Sequence, residues 1–206
     1  SLQLGNANLL AELTNITVIS DFRNRDIVAG GQGAPLVPAF HKEFFFKKNK
    51  NIVIINIGGI ANITYLPRNR TIIGFDSGPG NILLDHWIYI NNNKNFDNLG
   101  NWAKSGKLID HLLLNFKKEP FFKKKLPKST GRELFNIDWL NKFNIKKYAP
   151  EDVQRTLLEL SAVSINDSIK KYCSKVDEIY ICGGGSQNKF LIERLESIIN
   201  IKINTT

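Results

Sequence analysis

Apolar positions along the chain switch between two rhythms, and the switches outline the elements. Residues 7–13 have helical spacing, and Ile16–Ser20 reads as a buried strand. Asp21 to Gly33 (D-F-R-N-R-D-I-V-A-G-G-Q-G) is polar and glycine-bearing, the pattern of a loop. Leu36, Val37, Phe40, Phe44 and Phe45 then fall close to helical spacing within 35–46. Ile52–Asn56 is an almost continuous β-branched run, the signature of a strand buried on both faces. A turn at Ile57-Gly58-Gly59 leads to a second strand over Ile60–Leu66, and Thr71–Phe75 forms a third. Asn81–Ile90 reads as an amphipathic helix, and 101–148 as helix-rich but irregular. Pro150-Glu151-Asp152 opens a long helix reaching about Tyr172, with proline and two acids where free N–H groups and the positive dipole end call for them. Glu178–Cys182 is a strand, Gly183-Gly184-Gly185 a turn, Lys189–Ile199 a helix, and 201–206 a short β-like run. The class is α/β, with no repeat of about 20–50 residues. The polar run Lys47-Lys48-Asn49-Lys50-Asn51 marks the best boundary, giving segments 1–48 and 49–206.

Composition narrows the function classes. The 206 residues are 42% hydrophobic and 23% charged, an ordinary globular balance. The formal charge of +9 invites a nucleic-acid reading, but lysine is spread through asparagine- and isoleucine-rich stretches such as 91–95, not gathered on one basic face. We expect no nucleic-acid partner. Two cysteines at unrelated spacing argue against a disulfide framework or zinc site and fit a reducing compartment. No apolar run of about 18 residues suggests a membrane span. His41, His86 and His111 lack metal-ligand spacing, so no metal-binding side chains are expected. Methionine is absent and the chain opens Ser1-Leu2-Gln3, which leads us to expect a piece of a longer protein.

Candidate chemistry lies in three glycine turns that each follow a β-like strand: 56–59 (N-I-G-G), 76–80 (D-S-G-P-G) and 182–185 (C-G-G-G). Free backbone N–H groups after a strand are one way proteins hold phosphates. None matches a P-loop or a dinucleotide fingerprint, and any one alone reads equally as a tight turn. Asp76, at the tip of the third strand, either caps the helix near Asn81 or serves as a general base in phosphoryl transfer. Asp21, Arg23, Arg25 and Asp26 form either a solvated loop of weak ion pairs or a patch that recognises sugar hydroxyls or a carboxylate. Residues 128–133 (K-S-T-G-R-E) are either a capped helix start or a polar wall of a ligand cleft.

Taken together, the runs 21–41, 56–64 (N-I-G-G-I-A-N-I-T), 74–85 (G-F-D-S-G-P-G-N-I-L-L-D), 128–133 and 182–188 (C-G-G-G-S-Q-N) resemble the anhydro-N-acetylmuramic acid kinase family, in the family's order, from Leu2 onward. The glycine turns alone point only to the wider actin, Hsp70 and sugar-kinase superfamily. The resemblance implies an actin-like (ribonuclease H-like) sugar-kinase fold with ATP between two lobes. Here it is incomplete, with 1–48 ending the first lobe and 49–206 forming most of the second. It implies a cytoplasmic enzyme of cell-wall recycling that opens the 1,6-anhydro ring of anhydro-N-acetylmuramate and phosphorylates O6 with ATP and Mg²⁺. It also suggests a homodimer. Asp76 matches the base that activates water. Asn56, Gly58 and Gly59 match a phosphate-binding turn, and Gly183, Gly184 and Gly185 the adenosine-side turn. Gly78 and Gly80 keep the space beside Asp76 open for sugar and γ-phosphate, and Arg25 and Asp26 match the sugar-side loop. The family's N-terminal Gly-Thr-Ser and Asp-Gly-x-Asp loop and its C-terminal Gly-Ile-Pro-Pro segment have no counterpart here, and Asn24 stands where relatives usually have Arg. The chain by itself is therefore expected to be inactive, with a non-catalytic sugar- or nucleotide-binding remnant as the alternative.

Overall fold

The computed structural model describes residues 5–69 and 71–206. The chain divides into two compact units, Ser1–Leu36 and Val37–Thr206. In the first, α1 (Ala7–Thr14) starts at Asn6, whose side chain accepts the Leu9 N–H. It stops at Asn15, which adopts the left-handed conformation (φ 53°) that asparagine tolerates. Ile16–Ser20 is not the buried strand that its apolar pattern suggests. Ile16 and Ile19 are 66% and 75% exposed, and the run pairs with no strand among the described residues. The expected loop after it folds as α2 (Phe22–Val28), followed by Gly30 and Gly33 at positive φ.

The second unit opens with α3 (Pro38–Phe45), proline at its first turn. Five strands then form one sheet in the order β3-β2-β1-β4-β5: β1 (Ile52–Ile57), β2 (Ile60–Leu66), β3 (Ile73–Pro79), β4 (Glu178–Cys182) and β5 (Ile203–Thr205). β1, β2 and β3 run antiparallel to one another as a meander, whereas β4 joins β1, and β5 joins β4, in parallel. Parallel joins need crossovers, and the segments between β3 and β4 and between β4 and β5 supply the helices: α4 (Ile82–Asn92), α5 (Asn101–Ser105), α6 (Asp110–Phe116), α7 (Ile137–Asn141), α8 (Pro150–Tyr172) and α9 (Lys189–Ile199).

Alternation along β1 decides what each face meets. Val53, Ile55 and Ile57 join the main core with residues of α4, α8 and α9 such as Leu83, Leu158 and Leu195. Ile52 and Ile54 pack on the opposite face with Leu66 and Phe45 of α3. There His41 is buried and its Nδ1 lies 2.9 Å from Thr64 Oγ1. The irregular 101–148 stretch is held by aromatic packing of Phe116, Phe135, Trp139 and Phe143. No helix among the described residues is long and apolar enough to cross a membrane.

Candidate functional site

The three glycine turns meet at the C-terminal end of β1. The Gly80 and Ile82 N–H groups donate to Gly59 O at 2.8 and 3.1 Å, and the Asn81 N–H to Gly58 O at 2.9 Å, which clamps the end of β3 onto the β1–β2 turn. A Cβ on Gly80 would collide with Gly58 O. One on Gly183 (φ 82°) would overlap Asn56 Oδ1 and come within 2.7 Å of Ile57 O, and one on Gly185 would overlap the Ile57 side chain. The closeness of these turns therefore depends on missing side chains. Asn81 adds a bond from Nδ2 to Ile57 O at 3.3 Å. At Gly58, Gly59 and Gly184 an added Cβ would meet nothing closer than ordinary contact. Gly78 serves packing instead: a Cβ there would press on Phe122 and on Ser164 of α8.

Asp76 lies inside β3, not at a strand tip, because pairing with β2 continues to Pro79 across an irregularity at Ala61/Asn62. Ser77 is the extra residue, and its hydroxyl donates to Ala61 O. A bulge of this kind re-aims side chains locally. Register then lines up Cys182, Asn56, Asn62 and Asp76 across four neighbouring strands. Direct partners share a face, so these four form a polar row beyond the half of that face covered by α3. Cys182 Sγ lies 3.7 Å from Asn56 Oδ1, and Asn62 Oδ1 has no partner among the described residues.

Asp76 is 6% exposed. Its main-chain N–H donates to Lys128 O at 3.2 Å, and its Oδ2 accepts the Thr130 N–H at 2.9 Å. Burial raises its carboxyl above the ordinary range. The Thr130 bond and the Lys128 charge oppose that rise, and the Glu133 charge adds to it. Asp76 does not cap α4, and residues 128–130 cap no helix, since α7 starts only at Ile137. That segment is a wall along the outer edge of β3. Thr130 is legible in the sequence only as part of the 128–133 motif and Asn62 only as part of 56–64, because nothing in the one-dimensional pattern reveals cross-strand register. Asn81 was legible only as the end of a motif.

Beside Gly184, a cleft of about 320 Å³ is lined by Asn81, Asp85, Asn98, Gln187 and Asn188. Asp85, in the first turn of α4, is pushed by burial to a pKa of about 6. Arg25 and Asp26 belong to α2 in the first unit. Arg25 is exposed, and Asp26 Oδ2 accepts the Gly33 N–H at 2.7 Å, closing its own loop. No group of three or more His, Cys, Asp or Glu able to hold a metal occurs among the described residues. A nucleotide-borne Mg²⁺ is held mainly by phosphate oxygens and waters, so the lack of such a group does not conflict with one.

Comparison with known proteins gives these features a family. The sequence profile described as "Anhydro-N-acetylmuramic acid kinase" matches residues 1–206. The chain is 49% identical over 209 aligned residues to the anhydro-N-acetylmuramic acid kinase of Pseudomonas syringae pv. tomato, covering 100% of this chain and 57% of that protein. It is 52% identical over 196 residues to that of Nitrosomonas europaea, covering 95% and 54%. Among solved structures, the activator of the 2-hydroxyisocaproyl-CoA dehydratase from Clostridium difficile with bound ADPNP superposes with a TM-score of 0.50 at 15% identity, over 82% of this chain and 58% of that one. The fold is the actin-like, ribonuclease H-like one, present in part. The chain spans a little over half the length of the curated relatives it matches. It belongs to the anhydro-N-acetylmuramic acid kinase family.

Proposed function

We propose that this chain is the nucleotide-side part of a kinase that hydrolyses the 1,6-anhydro bond of anhydro-N-acetylmuramate and phosphorylates O6, giving N-acetylmuramate 6-phosphate for cell-wall recycling in the cytoplasm. The observation that carries it is the convergence of three glycine turns on the end of β1, one sheet row away from a buried carboxylate. Close backbone with no Cβ in the way suits a polyphosphate, and a desolvated aspartate suits proton abstraction. Residues 49–206 would form most of the second lobe and 1–48 the end of the first, with Arg25 and Asp26 on the sugar side. A homodimer fits the family.

When bound, ATP with Mg²⁺ would supply the γ-phosphoryl group and its charge neutralisation. The chain's own residues would do the rest. Asp76, ionised, takes a proton from water as that water bonds to the anomeric carbon. The bond from that carbon to O6 breaks, and O6 takes the phosphoryl group. The Thr130 N–H fixes the Asp76 carboxylate, and the turns at Gly58-Gly59 and Gly183-Gly184 would face the phosphates and the adenosine. The test is Asp76→Asn in the complete translation product of the gene. Sugar phosphorylation should fall by roughly 10²–10⁴-fold while ADP affinity stays within about twofold. Unchanged turnover would remove Asp76 from the mechanism.

A further inference from the structure

Lys128 is 4% exposed and buried on the α8 side of β3. Its ammonium stands over the rings of Phe121 (4.8 Å), Tyr172 (5.9 Å) and Phe75 (6.0 Å). No acceptor or carboxylate among the described residues takes a hydrogen bond or ion pair from it. The same side chain lines a cavity of about 60 Å³ whose other walls include Ser164, Ser168, Lys171 and the Lys117–Asp167 pair. One water needs roughly 10–15 Å³, so the cavity has room for several waters or one tetrahedral ion. Its polar lining holds three ammonium groups and three hydroxyls, of which Ser164 donates to Ser161 O and Tyr172 to Lys124 O, against one carboxylate, which Lys117 already pairs at 2.9 Å. A buried cation with no hydrogen-bonded acceptor is costly, and aromatic faces only partly replace its hydration.

We infer that this cavity is a binding site for a small oxyanion of sulfate or phosphate size, held by Lys128 at its floor, by Lys171 at its rim and by the hydroxyl of Ser168. The site is separate from the glycine turns and does not rest on the kinase reading. Its occupancy would reach Asp76 through the main chain, since Lys128 O and Thr130 N–H both hold that residue. Charged groups facing the Lys128 ammonium are Lys171 and the Lys117–Asp167 pair on one side and Asp76, with Glu133 beyond it, on the other. Burial foremost, and then the Lys171 charge, lowers the Lys128 ammonium to a pKa of about 8 against the opposing pull of Asp76.

Sulfate is the probe, because its charge is constant over the relevant range. Titration calorimetry at constant ionic strength should show one saturable site, about tenfold weaker at pH 9 than at pH 7 as the ammonium deprotonates. Lys128→Met, which keeps the side-chain length in the aromatic box, should abolish it, and Lys171→Met should weaken it several-fold. No saturable binding would overturn the inference. So would binding that survives Lys128→Met and is displaced by ADP, since that sulfate sits at the glycine turns. If circular dichroism shows Lys128→Met unfolded, the exposed Lys171 decides: unchanged affinity in Lys171→Met overturns the site.

Discussion

At Asp76 the fold buries a carboxyl at a cost. Its carboxyl is raised above the ordinary range chiefly by burial, so the folded state holds a proton more tightly than the unfolded chain does. Stability contributed here is greatest below the unfolded value of 3.8 and declines as pH rises through the folded one. Asp76→Asn keeps an acceptor for the Thr130 N–H and removes the buried charge, so it should raise the Tm at pH 7 while lowering turnover. A base must be ionised, so the acid limb of kcat/KM should lie above the ordinary carboxylate range. Glu133→Gln, which removes a charge that raises Asp76, should move that limb to lower pH; a limb that does not move would separate Glu133 from the base. The glycines separate at the same scale. Gly183→Ala meets Asn56 and Ile57 at a positive φ and should cost about 2–3 kcal/mol in denaturant unfolding. Gly184→Ala, whose Cβ would approach nothing nearer than 3.8 Å, should leave stability unchanged.

Elements whose pattern is dictated by their own neighbours were legible before any coordinates. Ile60–Leu66, Pro150–Tyr172, Glu178–Cys182 and Lys189–Ile199 fall where periodicity and end signals put them. Ile16–Ser20 has the right residues for a strand and no partner strand, and a strand needs a partner that its own sequence does not encode. The third strand runs to Pro79, beyond the expected Phe75, because a bulge lets glycine and proline continue the pairing at a sheet edge. The candidate site was legible as motifs but not as a row, since register across β4, β1, β2 and β3 is a product of assembly. One contact between elements ties α8 to α9: Glu159 accepts Arg155 at 2.7 Å and Arg194 at 3.0 Å. Burial works against its ionised form, but the bonds from Arg194 and Arg155 outweigh that and hold its pKa below the usual range. Its contribution is present above the unfolded value of 4.5 and is lost as pH falls through the lowered one. Glu159→Ala leaves two arginines facing each other and should cost about 3 kcal/mol at neutral pH, measured by urea unfolding.

For the whole molecule, the sheet and its helices present one set of converging glycine turns, and the chain covers 54–57% of its relatives' length. The 206-residue chain alone should therefore bind ADP weakly and turn over no sugar, whereas the complete protein should bind ADP tightly and phosphorylate the sugar. Turnover by the short chain would show that one set of turns suffices. The central claim, that water activated by Asp76 opens the anhydro ring while O6 takes the phosphoryl group, is tested most directly by isotope placement. The complete protein is incubated with 1,6-anhydro-N-acetylmuramate and MgATP in ¹⁸O-water, and the product is reduced at once and read by mass spectrometry. The account predicts one ¹⁸O on the anomeric carbon of N-acetylmuramate 6-phosphate and none in the phosphate. Label in inorganic phosphate with the anhydro-sugar intact would contradict it.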